Sequence, residues 1–129
     1  MHKGFLTTAA LLGCLAVILG AFGAHALKAM VSEQVLNAYE TGVRYQFYHV
    51  FALALTGMLI NIRPHPLLDI AGRLFVTGII LFSGSLYLIT WFHATGIEGF
   101  KWVGAITPLG GIVFIAAWIF LALGIRKNL

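Results

Sequence analysis

Residues 4–23 read GFLTTAALLGCLAVILGAFG, twenty positions without a single charge. An α-helix rises about 1.5 Å per residue, so a run of that length crosses the roughly 30 Å hydrocarbon core of a bilayer. The flanking Met1-His2-Lys3 and Ala24-His25-Ala26 imitate a secretory signal with an A-x-A cleavage site. A signal's apolar region runs only about 7–15 residues, however, so the length predicts a retained membrane helix.

Three more runs of the same kind follow. The spans expected are about 4–26, 41–62, 67–93 and 102–125, making one all-α domain over residues 1–129. Asp69 and Arg73 fall in the first turns of the third run, so its apolar part begins nearer Leu74. Lipid offers no partners for free backbone groups, which leaves helices as the form these runs take. Arg63-Pro64-His65-Pro66 and Gly96-Ile97-Glu98-Gly99 punctuate two of the connections. Ser32 followed by Glu33 is an N-cap signal, which extends the second helix back toward residue 33, beyond what a bilayer needs.

Composition supports the same reading. The 129 residues are 60% hydrophobic and 9% charged, against about 25% charged in soluble domains. Mean hydropathy is +0.97. The net charge of +4 comes from eight scattered basic residues with no cluster to follow a phosphate backbone, so no nucleic-acid partner is expected. Lys3, Arg63, Arg73, Arg126 and Lys127 fall on one side of the four spans. Lys28, Arg44 and Lys101 fall on the other, with Glu33, Glu40 and Glu98. The positive-inside rule then predicts an N-in, C-in bundle, with Trp91 and Trp102 in the outer aromatic belt. Cys14 is the lone cysteine, which leaves no intramolecular disulfide and no Cys-based zinc site. No P-loop, GxGxxG or HExxH pattern occurs. No catalytic residue, metal or cofactor is assigned, and the chain is not expected to be an enzyme.

Small residues mark where helices approach closely in lipid. They recur at Ala9 and Gly13, then at Ala16, Gly20 and Ala24, in the first span, and at Gly104, Thr107 and Gly111 in the fourth. Pro108 predicts a kink there. Ser83, Tyr87 and Thr90 form a polar seam on the third span. Faces of this kind suit packing within the bundle, or with a second copy or a larger membrane complex.

The chemistry-bearing residues gather near the outer ends of the first three helices: His25, Glu40, Arg44, Tyr45, Tyr48 and His49, with His93 on the same side. Glu40 and Arg44, four apart with the acid first, are spaced for an ion pair. At about 100° per residue, Glu40, Arg44, Phe47 and Phe51 form one stripe and Tyr45, His49 and Thr56 another. An undistorted helix therefore does not aim Glu40, Arg44 and His49 at one small ligand. The cluster reads either as a tie between helices or as a site for a ligand, ion or proton.

Four words carry a family resemblance: GAFGAHALK (20–28), ETGVRYQFYH (40–49), FSGSLY (82–87) and TPLGG (107–111). In this order they resemble the domain-of-unknown-function 423 family of small bacterial inner-membrane proteins, whose eukaryotic relative is transmembrane protein 256. The resemblance implies four membrane helices in the cell (inner) membrane and brings no activity or catalytic residue with it. Three functions stand open. The first is a structural or accessory protein packing with itself or a complex. The second is a transporter-like protein handling a small molecule, lipid or proton at the outer cluster, although all four acids lie near helix ends or in loops. The third is haem or metal binding through His25, His49 and His93.

Overall fold

A computed structural model describes residues 3–128, and four helical spans account for nearly all of them. The first span is α1 (Gly4–His25) with a 3-10 turn, Leu27–Ala29. The second is α2 (Glu33–Ile62), opened by Ser32, whose hydroxyl accepts from the Val35 N–H at 3.3 Å. Its 30 residues extend about 45 Å, well beyond a hydrocarbon core of roughly 30 Å. The early start signalled by Ser32-Glu33 is therefore present.

The third span has three parts. Helix α3 (Pro66–Gly78) is capped by His65, whose Nδ1 accepts from the Leu67 N–H at 3.1 Å. A π-helical segment, Ile79–Ser83, leads into α4 (Gly84–Thr95). Gly96 ends α4 at φ 72°, the left-handed conformation that favours glycine. The fourth span is a short α5 (Lys101–Gly104) and a long α6 (Ile106–Asn128). Where a kink was expected, the helix breaks at Ala105. Pro108 has no N–H to give the Gly104 carbonyl, so the break falls at the bond the proline cannot make.

Helix α1 lies along α2, and α3 lies along α6, while α2 also packs on α3, the π segment and α4. The core is apolar, centred on Leu53, Leu68, Ala71, Phe75, Phe114 and Ala117. Close approach uses glycine where expected in α1, since Gly13 faces Val50 and Gly20 faces Val43, but Ala24 is exposed. In the fourth span the expected face is displaced. Gly110 lies against the backbone of Phe82 and Gly124 against Leu68, whereas Gly104 and Gly111 border open space. Gly104 and Gly111 do share a face, as their spacing of seven predicts, but that face looks out of the bundle, while Thr107 bonds Ser85.

At one end of the bundle the Arg63 guanidinium donates to the Asn128 carbonyl at 2.8 Å, and the Asn128 amide returns a bond to the Arg63 carbonyl. The loop after α2 and the end of α6 are thereby joined at one level. Arg73 pairs with Asp69 at 3.0 Å close by in sequence.

Candidate functional site

The polar groups inside the spans form bonds between helices. Gln46 on α2 is 1% exposed. Its Nε2 donates to the Leu12 carbonyl of α1 at 2.7 Å, and its Oε1 accepts from the Tyr87 hydroxyl of α4 at 2.6 Å. The Tyr39 hydroxyl donates to the Leu19 carbonyl, a second tie from α2 to α1. Ser83, in the π segment, donates to the Gly42 carbonyl at 2.7 Å. The seam of Ser83, Tyr87 and Thr90 thus faces inward, with its first two members bonded to α2. Ser85 donates to the Phe82 carbonyl and accepts from Thr107 of α6. Among the described residues no buried side-chain nitrogen or oxygen lacks a partner. In hydrocarbon an unmet polar group costs several kcal/mol, so closure of this set is what lets it lie there.

His49 is 5% exposed and joins α2 to α6. Its Nδ1 lies 2.6 Å from the Tyr45 carbonyl, and its Nε2 3.1 Å from Trp118 Nε1. The indole N–H can only donate, so Nε2 accepts and the proton sits on Nδ1. The imidazole stacks on Phe114 with centroids 3.5 Å apart and planes 6° from parallel. Phe75 and Trp118 close round it. Both ring nitrogens are thus held by protein groups.

Of the other members of the sequence-read cluster, Tyr45 stacks beside His49 with centroids 6.1 Å apart, Tyr48 is exposed against Tyr45, and the rest lie apart. His25 is exposed at the end of α1, and His93 is exposed against Phe100. Glu40 and Arg44 are exposed, and the ion pair expected between them is not formed. Among the described residues the only salt bridge is Arg73–Asp69. Arg44 instead donates to the Thr41 hydroxyl at 2.9 Å, and Thr41 donates to the Asn37 carbonyl at 3.0 Å. A hydroxyl three residues away meets the guanidinium without ordering a long Glu side chain at an exposed site, where such a pair is worth only about 0–1 kcal/mol. The residue that sequence reasoning passed over is Gln46. An uncharged amide inside an apolar run was the available signal, because such side chains bind helices together in lipid.

Tyr45 and His49 do share one feature. They form one wall of a groove of about 470 Å³ whose floor is Phe82 and whose other wall is the stretch of α6 from Pro108 to Trp118. Tyr45 stacks on Phe82 with centroids 4.7 Å apart. The groove opens sideways, and its rim residues Tyr45, Ile112, Ile115 and Trp118 are 38%, 62%, 62% and 45% exposed.

Comparison with known proteins agrees with the four spans. The family model described as "Protein of unknown function (DUF423)" matches residues 19–111, which include the α2 polar residues, the π segment and the outer part of the groove. The chain is 38% identical over 128 residues to the UPF0382 membrane protein YwdK of Bacillus subtilis, covering 98% of this chain and 99% of that one. It is also 38% identical over 128 residues to a UPF0382 membrane protein of Haemophilus influenzae, covering 99% and 98%. No solved structure matches. With four helices long and apolar enough to cross a bilayer, the chain is a multi-pass membrane protein and belongs to the DUF423 family, whose molecular activity is unknown.

Proposed function

We propose that the protein is a structural or accessory membrane component without catalytic chemistry of its own, and that it assembles with a second copy through one flank of α1. The observation that carries this reading is the composition of that flank. Thr7, Ala10, Cys14, Val17, Ala21 and Ala24 alternate at spacings of three and four, and every one is exposed. This is the 3.5-residue repeat of a left-handed helix pair, built from side chains small enough for two backbones to approach. The other lipid-facing surfaces carry large side chains, such as Phe51, Leu55, Met58 and Ile62 on α2 and Ile112, Ile115 and Ile119 on α6. Like flanks meeting about a two-fold axis would bury the same residues on both copies.

The closed polar interior supports the non-catalytic half of the reading. Its members are neutral and bonded to one another or to backbone, and no carboxylate is among them to carry a proton across. The histidine reading loses support for a similar reason, since His49 uses both ring nitrogens on protein partners. Five basic residues against three support cytoplasmic termini in the cell membrane.

Cys14 sits in the middle of the flank and reports on it directly. Mild oxidation in native membranes is expected to yield a Cys14-linked dimer, since two such flanks packed together would bring the Cα atoms within the roughly 7 Å a disulfide spans. Ala10→Leu with Ala21→Leu should remove the link while leaving the fold intact. Absence of a crosslink at Cys14, and at Ala10→Cys, Val17→Cys and Ala21→Cys in turn, would refute assembly through α1. For orientation, in a Cys14→Ser background an impermeant thiol reagent added outside should label Glu33→Cys and spare Lys127→Cys. The reverse pattern would overturn the topology.

A further inference from the structure

We propose that the groove between α2 and α6 seats a hydrocarbon chain of an anionic phospholipid, with its phosphate at the guanidinium of Arg44. The depth of the groove leads to this occupant. Arg63 and Asn128 are bonded at one boundary of the bundle, which sets Arg63 and Arg126 at comparable depth. Tyr45 lies eighteen residues along α2 from Arg63, and Pro108 eighteen residues along α6 from Arg126. Both therefore stand about 27 Å from that boundary, at the far edge of a hydrocarbon core roughly 30 Å thick. The groove starts there. It runs ten residues of α6 to Trp118, about 15 Å down into one leaflet. It is open to lipid along its length, and apart from the Tyr45 hydroxyl and the paired rings of His49 and Trp118 its walls are hydrocarbon.

The charge at its mouth supplies the headgroup. Arg44 precedes Tyr45, so it stands at the interface, and among the described residues no carboxylate pairs with it. Thr41 and Tyr45 are one turn apart on one side of α2. The 2.9 Å bond from Arg44 to Thr41 therefore sets the guanidinium on the side where the groove begins. A fork of N–H donors beside an apolar channel is complementary to a phosphate with a chain attached. The inference is independent of assembly through α1, which uses another helix.

Trp118 reads the groove from inside. In a protein carrying Trp91→Phe and Trp102→Phe, Trp118 is the sole tryptophan. Reconstituted in phosphatidylcholine with increasing phosphatidylglycerol whose chains are brominated, it should show saturable quenching. Brominated phosphatidylcholine in the same proportion should quench it less. Arg44→Gln is expected to weaken the preference for the anionic lipid about five-fold, the effect of one basic side chain at an anionic surface. Gly111→Leu, whose side chain enters open space in the groove, should abolish saturable quenching by either lipid. Equal quenching by both lipids in the parent protein, or a preference untouched by Arg44→Gln, would overturn the proposal. So would conversion of a dimer to a monomer by Gly111→Leu, which would make the occupant a second copy.

Discussion

Two successive stretches of α2 handle polarity in opposite ways. From Glu33 to Arg44 the charged side chains are exposed, and Arg44 bonds only to its own helix. From Gln46 to Thr56 the side chains of Gln46, His49 and Thr56 are neutral and buried, and Gln46 and His49 reach other helices. The change follows the solvent. At the headgroups water and phosphate satisfy a charge, whereas a few ångströms deeper only protein can. The charged groups of α2 therefore lie toward its first end, and the buried polar groups of its middle tie the spans together.

The largest effect expected from this contrast is at His49. His49→Ala removes a ring stacked on Phe114 and the acceptor for Trp118, and by analogy with other buried rings it should cost about 3 kcal/mol of unfolding free energy. His49→Phe keeps the stack and loses the hydrogen bonds, so it should cost about 1 kcal/mol. A loss as large as that of His49→Ala would mean the bonds, not the ring, carry the contact. Arg44→Ala should come last, below about 0.5 kcal/mol, as for an exposed residue without a pair. Combining it with Glu40→Ala should give the sum of the two single effects. Coupling between them would restore the ion pair that the spacing suggested and erase the contrast between the two stretches. Thermal unfolding in detergent measures all five variants.

Much of this was legible in the residues. Span lengths follow from apolar runs against a fixed bilayer thickness, and the start of α2 from Ser32 and Glu33. The small-residue spacing correctly marked Gly13 and Gly20. It failed at Gly104 and Gly111, because spacing says which residues share a face and not which way that face turns, and theirs borders open space. The Glu40–Arg44 pair failed for a related reason: periodicity says which side chains are within reach, not that Thr41 is nearer. The groove was not legible. It depends on the π segment turning Phe82 and on Gly110 letting α6 approach it, and both are products of packing between distant segments.

The claim that the middle of α2 is a structural tie is tested most directly by a double-mutant cycle on Gln46 and Tyr87. Gln46→Leu takes the acceptor from the half-buried Tyr87 hydroxyl, and Tyr87→Phe leaves the buried Gln46 carbonyl oxygen without its donor. Each should destabilise the bundle by about 1–2 kcal/mol. The double variant should lose less than the sum, with a coupling of about 0.6–1.7 kcal/mol, the range seen for hydrogen bonds between membrane helices. Additive losses, or single variants as stable as the parent, would contradict the account.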